Sequence, residues 1–288
     1  MTDPTSPIDP IHEASYVTDQ RRAHWPATIA GLEAASAEVA ARPGFVGDVG
    51  FGPHPRQRFD WYPADGTPRA TLAYFHPGYW QMRDRTLFRC LMPVFAAMGL
   101  DVAMVGYPLC PDVDLATLTE AARASVPALC DFTRERHGRA LPIVAAGHSA
   151  GGHLAVELAL TDWTARGIAP HPIAAIVALS GVYDLEPLVA TSLNAALRLD
   201  SAGARAASPI HRVGARGVPA LFAVGGGETA AFRDQNARMA AAWRAAGHRA
   251  DVVESGEDDH FSLITTLGEG ESPLHRAVAG FLAELAET

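Results

Sequence analysis

Five short aliphatic runs, at residues 70–75, 102–105, 143–146, 173–179 and 221–224, are separated by stretches of helical periodicity. This rhythm constrains the chain more than any other feature. Continuous apolar strands, without polar alternation, are buried on both faces, and that is the mark of a parallel sheet. Parallel neighbours require crossovers, and helical patterns at 85–98, 115–136, 151–159 and 230–246 supply them. A last strand at 249–254 and a last helix at 273–285 complete the series. The predicted fold class is α/β, a mostly parallel doubly wound sheet with helices on both faces. Pro127 is expected to kink or break the helix over 115–136.

The ends of the pattern differ from its middle. The first dozen residues are polar and hold three prolines, and residues 19–42 carry Ile29, Leu32, Ala35 and Val39 at helical spacing before Pro43-Gly44 stops the run. Residues 1–44 are therefore read as a helical arm contributing to a cap. Residues 45–62 alternate around Gly52-Pro53, as an edge hairpin would. Residues 191–213 fit neither period and are expected to form a lid or a wandering connection.

Size and composition bound the function. A chain of 288 residues, 48% hydrophobic and 19% charged, buries roughly three quarters of its unfolded surface as one domain, so the reading is a single domain over 1–288. Acids outnumber bases 32 to 23, which opposes a phosphate-tracking groove and excludes nucleic acid as a partner. All the basic residues are arginine. The absence of lysine removes Schiff-base chemistry, P-loop phosphate binding and Ser-Lys dyads together. Cys90, Cys110 and Cys130 are too few and too widely spaced for a disulfide framework or a zinc knuckle, and read as small buried residues. The start of the chain lacks a basic, then apolar leader, and no run approaches a membrane span, so a cytoplasmic protein with no membrane partner is expected. A homodimer is compatible with these features.

The chemistry centres on Gly147-His148-Ser149-Ala150-Gly151, a G-x-S-x-G pentapeptide with an apolar strand before it and a helix-like run after it. A serine on such a bend stands at the carboxyl edge of the sheet, and the new helix aims free N–H groups at a developing oxyanion. The loop after the 70–75 strand reads His76-Pro77-Gly78-Tyr79-Trp80. Pro77 has no N–H, so the second oxyanion donor falls to Gly78 or Tyr79, with Ala150 giving the first. A serine hydroxyl needs a base, and in this fold the order is Ser, acid, His. Of the late histidines, His248 ends a helix and His275 opens one, where it is expected to be exposed; His260 lies in a polar loop after the last strand, where the base belongs. Glu228, just beyond the 221–224 strand, is the expected acid, with Asp184 as its rival. Asp234 reads as a surface charge, and Asp258 and Asp259 as surface or loop-tying groups. Tyr79, Trp80 and Phe261 are candidates to face an aromatic substrate. No H-E-x-x-H occurs and no histidine cluster has ligand spacing, so neither a metal nor another cofactor is expected.

These motifs resemble the kynurenine formamidase (arylformamidase) group of α/β-hydrolases, which carry H-G-G-x-W in the oxyanion loop and a G-H-S-A-G elbow. The segment Leu179-Ser180-Gly181-Val182-Tyr183-Asp184-Leu185, the acid-bearing stretch 224–232 and Asp259-His260-Phe261 are similar to that group as well, and the likeness runs from about residue 56 to the end, with the arm also similar. Two departures stand out: Pro77 replaces the first glycine of H-G-G, and Glu228 stands where some members have Asp. The resemblance implies a serine hydrolase that cleaves a small acyl group from an amide or ester, foremost an aryl formamide such as N-formyl-L-kynurenine. A carboxylesterase for short-chain acyl esters, or a non-catalytic binding protein of the same fold, are the alternatives.

Overall fold

The computed structural model describes residues 7–285. Eight strands, β1 (Val46–Gly50), β2 (Arg58–Tyr62), β3 (Ala70–Phe75), β4 (Leu100–Val105), β5 (Ile143–His148), β6 (Ile173–Leu179), β7 (Ala220–Gly225) and β8 (Ala250–Ser255), form one sheet in the order β1-β2-β4-β3-β5-β6-β7-β8. The strands from β3 to β8 are parallel; β1 and β2 form the antiparallel edge hairpin. Every residue of β3, β4, β5 and β7 is buried, as strands covered on both faces require.

The helices in chain order are α1 (Pro10–Glu13), α2 (Trp25–Ala40), α3 (Met92–Ala97), α4 (Leu115–His137), α5 (Ala150–Leu160), α6 (Asn194–Leu197), α7 (Ser201–Ala207), α8 (Ala230–Ala245), α9 (Ser262–Gly268) and α10 (Pro273–Glu284). A wide π-type turn at Ala14–Thr18 and 3₁₀ turns at Arg85–Leu91, Glu186–Ala190 and Pro209–His211 fill in between them. One core lies between the sheet and α4, α5 and α8, through Leu118, Val126, Leu154 and Trp243; the other lies beneath α2, α3, α9 and α10, through Val39, Phe95, Leu263 and Val278. No helix among the described residues is long and apolar enough to cross a membrane.

Several expectations are corrected. α4 is not broken at Pro127 but continues through it, with the ring on the exposed side, where water can satisfy the carbonyl that it frees. The helix is fixed at both ends instead: Asp114 caps the Thr117 N–H at 2.7 Å, and Gly138 closes it at φ 71°. The helix read over 19–42 is found as α2 but begins only at Trp25, since Pro26 favours the first turn of a helix, and α1 and the π-type turn precede it in the arm. The 191–213 connection is built of short helices, each too brief to show a period. Cys110 is buried, while Cys90 and Cys130 are only half-buried.

Strand order reverses between β3 and β5. Crossovers leave on opposite sides there, so the loops after these strands part and open a crevice at the carboxyl edge. The loop after β3 and the bend after β5 border it, and the loops after β7 and β8 adjoin it.

Candidate active site

The bend after β5 is built for close approach. Ser149 has φ 57° and ψ −118°, a conformation that L residues avoid, and the Ser149 N–H donates to Leu179 O at 2.8 Å. A Cβ on Gly151 would lie 1.8 Å from Phe75 O, so only glycine lets α5 start against the end of β3. The side chain of Ser149 therefore sits at the head of α5, where the first helical N–H groups lack intrahelical acceptors.

The loop after β7 carries Glu228, and the loop after β8 carries His260. The imidazole Nδ1 of His260 meets Glu228 Oε2 at 2.7 Å with both residues buried. The other carboxylate oxygen, Oε1, accepts from Gly225 N–H at 2.9 Å and from the hydroxyl of Ser180. Gln20 of the arm donates from its side-chain amide to Oε2 at 3.0 Å. Burial pushes the Glu228 carboxyl up, but the charge of His260 and the donors from His260, Ser180 and Gly225 outweigh it and hold the group below the ordinary carboxylate value.

His148, the residue before Ser149, lies with its ring 4.4 Å from that of His260, which brings the bend and the β8 loop together. Burial holds the His148 imidazole well below its usual value, so it stays neutral beside His260.

Asp184 lies elsewhere: its Oδ2 is 2.9 Å from Arg238, and its Oδ1 accepts from Glu186 N–H. Asp258 ties its own loop by accepting from Ser255, Ser262 and Thr266. Asp259 accepts from the N–H groups of Phe261 and Ser262. His248 reaches Gly214 O at 2.8 Å, and His275, expected to be exposed, is half-buried because its Nδ1 bonds Leu267 O at 2.9 Å.

In the loop after β3, Gly78, Tyr79 and Trp80 have φ of 129°, 49° and 60°, three left-handed residues in succession. Gly78 O accepts from Gln81 and Met82, which closes the loop, while the N–H groups of Gly78 and Tyr79 have no acceptor among the described residues. His76 stacks on Tyr107 at 4.2 Å beneath this loop, and burial lowers its pKa to about 4. Of the aromatic candidates, Trp80 is wholly buried with its ring edgewise on His153. Phe261 stands edgewise to Trp25 at 4.6 Å, and the Tyr79 hydroxyl donates to Tyr16 O.

Sequence reading gave the arm a place in a cap but named none of its contacts. Besides Gln20, Trp25 donates to Asp259 at 3.1 Å, His24 lies 2.7 Å from the same carboxylate, Arg22 donates to Gly227 O, and Thr229 donates to Ser15 O. The arm thus lies over the loops that carry Tyr79, Glu228 and His260, and Ser149 is 1% exposed. Residues some 200 positions apart in sequence leave no local signal of such contacts. A cavity of about 740 Å³ lies further along α5, lined by His153, Glu157, Leu197 and Leu199, and does not include Ser149.

A family model for the alpha/beta hydrolase fold matches residues 72–263. A kynurenine formamidase from Danio rerio is 30% identical over 86% of this chain and 84% of its own, and one from Salmo salar 26% identical over 69% and 68%. Among solved structures, a Silicibacter protein provisionally described as a thioesterase superposes with a TM-score of 0.76 at 29% identity, covering 94% of this chain and 96% of its own. Esterase B from Lactobacillus rhamnosis, at 20% identity and a TM-score of 0.71 over 92% and 94–95% of the two chains, shares the fold. The chain belongs to the α/β-hydrolase fold family as a hydrolase of the kynurenine formamidase-like group.

Proposed function

We propose that the protein hydrolyses aryl formamides of the N-formyl-L-kynurenine type through an acyl-enzyme on Ser149. In this reading His260 removes the Ser149 proton as Oγ attacks the formyl carbonyl. Glu228 holds the imidazole with its Nδ1–H inward and stabilises the imidazolium. The oxyanion rests on the N–H groups of Ala150 and of Gly78 or Tyr79, each contributing roughly 3–4 kcal/mol. His260 then gives its proton to the departing arylamine, and water, activated by the same imidazole, releases formate. Tyr79 and Phe261 flank the substrate, and the arm caps the site from residues 15–25.

The observation that carries this reading is the buried 2.7 Å pair of His260 and Glu228 beside the strained bend of Ser149. The likeness to the Danio rerio kynurenine formamidase supports the formamide over other acyl groups. The test is a panel of N-formyl-L-kynurenine, formanilide and p-nitrophenyl acetate on the wild type and on Ser149→Ala. Serine-dependent formate release that exceeds acetate ester cleavage in kcat/KM is expected. A preference for the ester would make the protein a carboxylesterase instead.

A further inference from the structure

Arg83 is unlike the other partly buried arginines. Among the described residues, Arg56, Arg58, Arg85, Arg89 and Arg123 face carboxylates. Arg22 and Arg69 donate to backbone carbonyls. The guanidinium of Arg83 does neither and lies over the ring of Phe261, its Cζ 4.8 Å from the centroid. A cation moved partly out of water without an anion or carbonyl has lost hydration, and a ring face returns only part of that loss.

Its position gives this loose end a direction. Phe261 directly follows His260, and the ring of Phe261 is 5.8 Å from that of His148, so the cation stands over the junction of the β5 bend and the β8 loop. The backbone of Arg83 is at φ 72°, on the same stiff loop as Gly78 and Tyr79, and its carbonyl accepts from Arg56. The nearby carboxylates are taken: Asp84 lies 3.2 Å from Arg56, and Asp259 holds His24 and two backbone N–H groups. In a chain of net charge −9, a guanidinium left without an internal anion over the ring that follows the proposed base His260 is complemented by an anion that arrives from outside.

We infer that Arg83 recognises a carboxylate of the substrate, which narrows the substrate class to acyl amides that bear a free acid group. This rests on the proposed reaction and adds its specificity. Binding to the Ser149→Ala protein separates the two. The affinities of N-formyl-L-kynurenine and of its carboxyl methyl ester are measured by calorimetry with Arg83 intact, with Arg83→Met and with Arg83→Lys. The acid is expected to bind about tenfold tighter than the ester with Arg83 intact, as a charged hydrogen-bond pair implies. Arg83→Met should bring that ratio to about one, and Arg83→Lys should restore only part of it, since a point charge lacks the planar fork. Equal binding of acid and ester by the intact site, no binding of the acid, or a preference that survives Arg83→Met would overturn the inference. Formate release retained by Ser149→Ala would instead overturn the proposed nucleophile, and the affinity ratio would still decide the role of Arg83.

Discussion

Gln20 and His260 meet on a single atom: both donate to Oε2 of Glu228, at 3.0 and 2.7 Å. A residue of the arm thereby shares the carboxylate that orients the proposed base. Gln20→Met keeps the bulk and removes the donor. With one donor fewer, the carboxylate is held less firmly in the orientation that His260 meets, and kcat should fall about five- to tenfold from loss of one charged hydrogen bond. Arg22→Ala, which removes an arm contact to Gly227 O that does not touch the carboxylate, should leave kcat within about twofold. Steady-state kinetics of both variants on one formamide checks this.

Glu228→Gln and Asp184→Asn should differ sharply. The first leaves His260 without an anion and favours the wrong tautomer, so kcat should fall by roughly 10⁴. The second weakens a half-exposed pair with Arg238, worth under about 1 kcal/mol, and should leave kcat within a few-fold. Steady-state kinetics on one formamide substrate decides it; loss of activity in Asp184→Asn alone would reverse the assignment.

Gly151→Ala should fail structurally rather than chemically. The added methyl meets a backbone carbonyl, which cannot swing away as a side chain can. Moving β3 or α5 to make room should destabilise the protein by at least about 2–3 kcal/mol, read as a lower Tm together with lost activity. Ser149→Ala should instead retain the wild-type Tm.

Stability should begin to fall on the acid side before the carboxylates titrate. His76, His148 and His153 are all held below the ordinary value of 6.5, chiefly by burial. Below that value the unfolded chain takes up protons that these residues refuse in the fold. Their contribution is therefore complete above about pH 6.5 and is lost as pH drops towards the folded values, near 4 for His76. Each costs up to about 1.4 kcal/mol per pH unit over that window. Thermal melts from pH 8 to 4 should show the decline starting near 6.5, and a Tm flat down to pH 5 would contradict this.

Much of the architecture was legible because its strands are buried on both faces. β3 and β6 span the residues read as aliphatic runs, β4, β5 and β7 extend theirs by two residues, and β8 is displaced by one from its reading. Pro127 does not break α4, since a freed carbonyl on the exposed side can turn to water, and exposure at one position is not written in local periodicity. α9 was missed because it is brief and directly follows the loop of His260. At the site, Ser149, Glu228 and His260 were singled out by motif and chain order. Gln20 and Ser180 were not, since an amide or hydroxyl that meets a carboxylate across the fold has no spacing to betray it.

The arm has a consequence for how the protein comes into being. Residues 15–25 are synthesised some 200 positions before their anchors at Gly227, Glu228, Thr229 and Asp259. Vectorial synthesis must hold this segment undocked until those loops have emerged. A nascent product that ends before residue 259 lacks both His260 and the roof that the arm lays over Ser149.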